Sequence, residues 1–470
     1  MSDLLIKNGK ICLSSGVVEK DLYVKDGKIN RIGYFNGSAD EVIDVKGKLL
    51  LPGVIDAHTH MEFPFMSELT VDDFHYGTLA ALGGGVTTIV DFITPARDEN
   101  PMEAYKSWRQ KADPKVVSDY ALHCILRNGS KETLDSIKYL ISEGVISFKL
   151  FMAYKNELLL DDESLYAAIK EITKHHGVVA IHAENGAIVD KRTEELLNDH
   201  KVEPVYHYYS RPEIVEIEAA NRIAAIASMI GKDVLMYMVH TSTGEAVDIF
   251  RSYRNMGYKF YNETTPNYLT YDYTILQKEH GYRYIMSPPF RTQREIHDLW
   301  NRLANNEIKI IGSDHCVYSD SQKRRHKDEI PSFNEVPNGT PGTETILPLL
   351  FTRGVMEGKI TLPQLVSLTS GNSAELFGLK QKGNLLPGYD ADIAIVDPSK
   401  EFTVTAKMLH SNIDYTIFEG MNLKGFPDIT ILRGKKVMEN GNILVKPGEG
   451  KYVKGIAEGF QGGESVNGNK

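Results

Sequence analysis

The sequence predicts an α/β protein: a (β/α)8 TIM-like barrel with a small β-sandwich domain built from both chain termini. Three observations predict it. The middle of the chain alternates short apolar runs with helical patterns, and eight such runs can be counted. Both ends read instead as short strands with tight-turn dipeptides, and neither end is large enough for a core of its own. The 470 residues also exceed what one ordinary core holds.

Residues 1–50 form the N-terminal part of the sandwich. Strands are expected over 4–6, 22–24 and 29–32, with Asn8-Gly9 and Asp26-Gly27 as hairpin signals. Residues 51–378 form the barrel, with strands at about 51–57, 87–91, 120–124, 147–151, 178–182, 234–239, 258–263 and 308–313. Most are rich in Val, Ile, Leu or aromatic residues, as expected of strands buried on both faces. Helical patterns between them include 135–142, 162–175 and 213–230, and 343–377 closes the barrel. A doubly wound sheet is the structural alternative. Residues 379–446 supply the rest of the sandwich, with strands at 391–397, 402–405, 429–433 and 437–439 and a further hairpin signal at Asn440-Gly441. Residues 447–470 form a C-terminal tail, expected to be mobile from about 455 in a free monomer.

Two connections are long. Residues 183–233 carry Tyr206-His207-Tyr208-Tyr209. Residues 315–345 carry Lys323-Arg324-Arg325 and then Pro337-Asn338-Gly339-Thr340-Pro341-Gly342. The second is expected to be functional, because it leaves a strand end that bears a candidate ligand. The basic triplet reads as a solvated loop patch.

Composition narrows the function. Hydrophobic residues make up 42% and charged residues 25%, ordinary for a globular protein, and the formal net charge is -10. No long basic stretch marks nucleic acid as a partner. Cys12, Cys124 and Cys316 are far apart and odd in number, which argues against a disulfide framework and fits a reducing compartment. No secretory signal and no membrane-spanning apolar run is read. A soluble, cytoplasmic protein is expected.

The chemistry begins at Leu50-Leu51-Pro52-Gly53-Val54-Ile55-Asp56-Ala57-His58-Thr59-His60. Residues i and i+2 of a strand share a face, so His58 and His60 aim at one place. Alone, the pair fits a metal site or a strand ending in two satisfied histidines. In such barrels catalytic groups gather at the C-terminal strand ends. Those ends add Lys149, His182, His240 and Asp314. Four histidines, a carboxylate and a lysine at one mouth are hard to explain as core, because charged groups are rarely buried unpaired. A catalytic zinc usually takes three protein ligands, so the set suits two metals better. Lys149 is the odd member. An ammonium has no lone pair, so it is either a structural or catalytic amine or a chemically converted one.

The chain resembles the dihydropyrimidinase/D-hydantoinase family of cyclic amidohydrolases from residue 4 to about 445. The resemblance rests on Pro52-Gly53-Val54-Ile55-Asp56-Ala57-His58-Thr59-His60, Phe148-Lys149-Leu150-Phe151-Met152-Ala153-Tyr154 and Ile181-His182-Ala183-Glu184-Asn185. Further along it rests on Val239-His240-Thr241-Ser242, Gly312-Ser313-Asp314-His315-Cys316, Pro337-Asn338-Gly339 and Pro341-Gly342. It implies that Lys149 is N6-carboxylysine, a CO2-derived carbamate bridging two divalent metal ions, commonly zinc. It implies that His58, His60 and Asp314 hold one metal while His182 and His240 hold the other. Tyr154 would donate to the developing oxyanion, and Asp314 would carry the proton from the attacking hydroxide to the leaving ring nitrogen. Ser287 and Asn338 would hold the imide edge of the ring, largely through backbone groups. Phe63, Phe65, Phe151 and Leu158 would surround the exocyclic substituent. The reaction opens 5,6-dihydropyrimidines or 5-substituted hydantoins to N-carbamoyl amino acids, and a homotetramer is implied.

Other residues near the set are read as supporting. Glu62 and His315 are expected to be structural, with His315 orienting a neighbour. His123 and Cys124 are expected to pack, and His175-His176 to end a solvated helix. Dihydroorotase-like sequences carry an arginine just after the paired histidines, where this chain has Met61-Glu62-Phe63. An allantoinase would need a pocket for a polar ureido group, which the aromatic loop suits poorly. The non-catalytic adaptor relatives have lost metal ligands, and this chain keeps all six positions. At Gly342-Thr343-Glu344-Thr345 many relatives have a basic residue shortly after the glutamate; this departure is expected to affect loop or subunit packing.

Overall fold

The structure is a computed structural model that describes residues 3–35 and 37–457. Eight parallel strands follow one another in sequence order: β1 (Val54–Thr59), β2 (Val86–Ile93), β3 (Asp119–Ile125), β4 (Ser147–Phe151), β5 (Val178–His182), β6 (Leu235–Met238), β7 (Lys259–Thr264) and β8 (Ile310–Ile311). The sheet closes between β8 and β1 just past their ends. There Thr59 bridges His315, and the His60 N–H donates to the His315 carbonyl at 2.9 Å. The expected barrel is therefore present. Its first strand begins later than expected, because Leu49–Pro52 belongs to another sheet.

Helices fill the connections. Asp162–Lys174 shows why they form. Asp161 caps the first turn by accepting from the Ser164 N–H, two further acids sit in that turn, and Lys174 lies in the last. Leu165, Ala168, Ile169 and Ile172, at helical spacing, are buried against the barrel. The long 183–233 connection contains helices Gly186–Asn198, Tyr206–Ser210 and Glu213–Ile230. The 343–377 stretch is helical in short pieces, broken around residues 357–361.

Both termini interleave in one nine-stranded mixed sheet. Leu49–Pro52 lies at its centre, antiparallel to Ile393–Val396 and parallel to Leu4–Leu13. Alternation assigns its faces. Leu50, Ile393 and Ile395 join Leu4, Ile6, Leu22 and Val24 in the small core, whereas Leu49, Leu51, Ala394 and Val396 pack into the barrel's helical layer. This central region is thus buried on both faces, and the second domain is bound to the barrel through it.

Two of the three hairpin signals form turns: Asp26-Gly27 and Asn440-Gly441. Asn8-Gly9 does not. It lies inside Leu4–Leu13, where the register shifts between Ile6 and Gly9 and Asn8 takes φ 58°. This is a β-bulge. A Cβ at Gly9 would lie 2.5 Å from Leu50 Cδ1, so the glycine permits close approach of the neighbouring strand.

The described part of the tail crosses the N-terminal end of the barrel, opposite the strand ends that bear the candidate ligands. Val453 N–H donates to Tyr120 at 2.7 Å, Gly455 to Gly144 at 2.9 Å and Ile456 to Gly378 at 3.1 Å. The mobility expected of the tail concerns residues that, beyond 457, lie outside the described residues.

Two buried ionic ties join the pieces. Lys382 donates to Asp119 on β3 and to Asp392, each at 2.7 Å, and lies 3.0 Å from Asp390. Removing one partner of such a cluster leaves charges buried and unpaired, so Lys382→Met is expected to cost about 3–5 kcal/mol, read as a lowered Tm. An unchanged Tm would show that the cluster does not join the two units. The second tie is Glu344, whose carboxylate accepts from His410 Nδ1 and from the His410 N–H, both at 2.7 Å. Burial lowers the His410 pKa, but the Glu344 hydrogen bond and charge outweigh it and hold it up at about 9. A raised folded pKa gives stability that is full below the unfolded value, about 6.5, and lost as pH rises through the folded value. His410→Gln is therefore expected to lower stability by about 2 kcal/mol at pH 6, with the gap to the parent closing by pH 10. A gap that stays constant across that range would contradict the assignment.

Candidate metal centre

Each expected ligand stands at the C-terminal end of its strand. His58 is the last residue but one of β1 and His60 follows the strand, Lys149 lies in β4, His182 ends β5, and His240 and Asp314 come just after β6 and β8. All six are buried. Asp314 Oδ1 lies 3.3 Å from His58 Nε2 and 3.4 Å from His60 Nε2. These three residues offer ligand atoms that all fall within 4.8 Å of one another. Lys149 Nζ lies 2.9 Å from His58 Nε2, and His182 Nδ1 faces His240 Nε2 at 3.1 Å.

Two carboxylates decide which ring nitrogen faces inward. Glu184 lies 2.9 Å from His182 Nε2 and 2.7 Å from Arg211 Nη1. Burial pushes Glu184 up, but Arg211 and His182 outweigh it and hold the carboxylate down at about 2. An ionised carboxylate only accepts, so His182 Nε2 carries the proton and Nδ1 presents its lone pair toward His240. Glu263, at the end of β7, lies 2.8 Å from His58 Nδ1 and accepts the His240 N–H at 2.8 Å. Burial raises the Glu263 pKa to about 8, so here it is the position of the carboxyl group against Nδ1, and not a fixed charge, that leaves His58 Nε2 facing inward.

Burial, reinforced by neighbouring cationic groups, keeps the imidazoles neutral. It holds His58 and His240 well below the usual range and His182 below it. His60 is lowered to about 4, chiefly by burial, and Lys149 to about 8 by the same cause. Neutral imidazoles with inward lone pairs beside a carboxylate form a donor set for divalent cations. This fits the two-metal expectation.

Three of the non-glycine residues here hold left-handed backbone: Tyr154 at φ 67°, His240 at 34° and Asp314 at 51°. Such conformations cluster where a side chain must be aimed against local preference. They follow from the packed surroundings.

The centre opens into a cavity. It is lined by every expected site residue except His58, which lies beneath it with no exposure. Phe63, Phe65, Phe151 and Leu158 come together in one apolar cluster. Phe63 and Phe65 stack at 5.5 Å between ring centres, and Phe65 meets Tyr154 edge-on at 5.1 Å. Both phenylalanines are carried by the turn around the Pro64–Phe65 and Glu68–Leu69 ribbon. Asn338 Nδ2 donates to Ser287 Oγ at 3.0 Å, and both residues lie beside Tyr154. Burial raises the Tyr154 pKa, so its phenol stays a donor.

The supporting residues divide. His315 bonds Asp72 at 2.9 Å and accepts from the Gly342 N–H at 3.2 Å, which ties the long loop to the barrel mouth. Glu62 pairs with Lys115 at 2.5 Å. His123 is buried between the Ala57 carbonyl and Ser147. His175 pairs with Glu171 at 3.0 Å at its helix end. The carboxylates Glu184 and Glu263, the cation Arg211 and the cavity-lining Cys316 were assigned no role from sequence. Glu263 was within reach, because it stands at a strand end like the ligands. Arg211 was not, since it sits in the middle of a long connection.

A model of the amidohydrolase family matches residues 49–437. The D-hydantoinase of Geobacillus stearothermophilus is 39% identical over 456 residues, covering 96% of this chain and 96% of that protein. The dihydropyrimidinase of Rattus norvegicus is 37% identical, over 96% of this chain and 88% of that protein. The crystal structure of dihydropyrimidinase from Brevibacillus agri NCHU1002 superposes with a TM-score of 0.93 at 37% identity, covering 96% of this chain and 98% of that one. With its eight-stranded barrel, its clustered histidines and this breadth of likeness, the chain belongs to the amidohydrolase family, in its dihydropyrimidinase/D-hydantoinase branch.

Proposed function

We propose that this chain is a cyclic-amide hydrolase that opens 5,6-dihydropyrimidines and 5-substituted hydantoins to N-carbamoyl amino acids. The observation that carries the reading is one buried mouth where inward-facing neutral imidazoles, Asp314 and Lys149 meet an apolar wall. His58, His60 and Asp314 would hold one divalent ion, His182 and His240 the other, with Lys149 between them. Zinc suits an imidazole and carboxylate donor set. A carbamate forms when a neutral amine attacks CO2: an N–C bond is made and a proton leaves. The lowered Lys149 pKa, about 8, supports a usable fraction of free amine at neutral pH.

When bound, two dications supply a hydroxide nucleophile near neutral pH and polarise the carbonyl under attack. The remaining work falls to side chains. Tyr154 donates to the oxygen that gains charge. Asp314 takes the proton from the nucleophile and returns it to the departing ring nitrogen. Ser287 and Asn338 hold the opposite imide edge. Phe63, Phe65, Phe151 and Leu158 receive the substituent on the ring, which favours bulky or aromatic groups. Such a wall gives a polar ureido group no partner, which weighs against allantoin. The retained ligand positions weigh against an adaptor role. The reading extends to a homotetramer in the cytoplasm. Three buried, unbridged cysteines fit a reducing compartment, and no described helix is long and apolar enough to cross a membrane.

Initial rates on dihydrouracil, 5-phenylhydantoin, allantoin and dihydroorotate, taken with one metal-loaded preparation, test the reaction. Turnover of the first two is expected, lost with chelator and regained with added metal. Activity confined to dihydroorotate would overturn it. Lys149→Ala is expected to lose most bound metal, measured by elemental analysis, and about 100-fold or more in kcat/KM. Two metals per chain and full rate in that variant would remove Lys149 from the centre.

A further inference from the structure

The basic triplet Lys323-Arg324-Arg325 is not the solvated patch expected. Lys323 has 0% exposure. It closes the short helix Asp320–Lys323, which is fixed by a capping box between Ser319 and Gln322. The same helix is tied to the 282–283 segment, because Asp320 accepts from Tyr282 Oη at 2.7 Å and Arg283 Nε at 2.6 Å. Lys323 Nζ donates to the Ile285 carbonyl at 2.9 Å and the Pro337 carbonyl at 2.7 Å. Among the described residues no carboxylate pairs with it, and burial pulls the ammonium down to about 7.

Those two carbonyls are close in sequence to the two cavity residues assigned to the ring's imide edge. Ile285 precedes Met286 and Ser287, and Pro337 precedes Asn338. The two segments also bond each other: Gly339 N–H donates to Ile285 at 2.9 Å, and Asn338 Nδ2 to Ser287 Oγ at 3.0 Å. They come from different connections, one after β7 and one after β8. Their mutual spacing is therefore set by contacts between them, including the packing of Ile285 with Val336, and not by a shared strand.

We propose that Lys323 is a positioning residue for substrate binding: by clasping the Ile285 and Pro337 carbonyls it sets the spacing of the Ser287 and Asn338 segments against the ring. The inference rests on the reading of Ser287 and Asn338 as ring-binding groups. Lys323 lies apart from the metal ligands, so its loss should act on ring binding and leave the metals in place.

The test uses the metal-loaded full chain with dihydrouracil as substrate. Lys323→Met is expected to raise KM about tenfold, with kcat changed by less than about threefold and two metals per chain retained. Lys323→Gln, which keeps N–H donors for the carbonyls, is expected to show a smaller rise. Asn338→Ala, which removes the Nδ2–Ser287 Oγ bond between the same two segments, should also raise KM, and adding Lys323→Met to it should raise KM little further, because both changes loosen one spacing. A Lys323→Met enzyme with lowered Tm but unchanged KM would make the lysine merely structural and overturn the proposal. So would additive effects with Asn338→Ala, loss of metal in the lysine variant, or failure of both lysine variants to fold. If Asn338→Ala itself leaves KM unchanged, the spacing of the two segments does not govern ring binding and the proposal fails. A parent enzyme inactive on dihydrouracil would instead count against the proposed reaction.

Discussion

The centre depends on two buried carboxylates that govern imidazole orientation. Glu184 accepts a hydrogen bond from the His182 Nε2–H, and Glu263 faces His58 Nδ1. A ring nitrogen binds a cation only when it is unprotonated and faces the right way, and a carboxyl group on the outer nitrogen favours both conditions for these two rings. Glu184 is in turn kept ionised by Arg211, which comes from the long connection between β5 and β6. A residue between two helices of this connection thus controls a ligand at the barrel mouth. Arg211 also lies over the Tyr154 ring, 5.4 Å from its centre, so the same cation bears on the group assigned to the oxyanion.

The scaffold separates stability from chemistry. The N-terminal end of the barrel is closed by the tail, and the sheet built from both termini covers one flank through Leu49, Leu51, Ala394 and Val396. Lys382 binds three aspartates there, far from the metal ligands. The C-terminal end is left to irregular connections, where residues take left-handed backbone and buried cations hold loops in place. Lys323 and Arg211 share a logic. Each is a buried basic side chain fixing groups that touch the cavity, and neither is itself expected to react.

Much of the site was legible because strand ends follow a simple rule. Once eight strands were placed, reading their C-terminal ends brought out His58, His60, Lys149, His182, His240 and Asp314. The four apolar wall residues came through the family resemblance, and the structure gathers them in one cluster. Glu263 could have been found by applying the same rule to β7. Lys323 was misjudged because a run of three basic residues in a polar loop ordinarily faces solvent. Its burial depends on two carbonyls that arrive from segments 38 and 14 residues away. Asn8-Gly9 was misread for a related reason. The dipeptide favours left-handed backbone in a turn and in a bulge alike, and the choice between them rests on the neighbouring strand at Leu50.

By itself the sequence determined the barrel, the sharing of a second sheet between both ends, and which side chains stand at the mouth, because periodicity and strand-end position are local properties of the chain. Tertiary structure alone decided which nitrogen each histidine offers, which cations are buried, and how the Ser287 and Asn338 segments are spaced. Those depend on hydrogen bonds between residues far apart in sequence, and no local pattern encodes a partner that arrives from another connection.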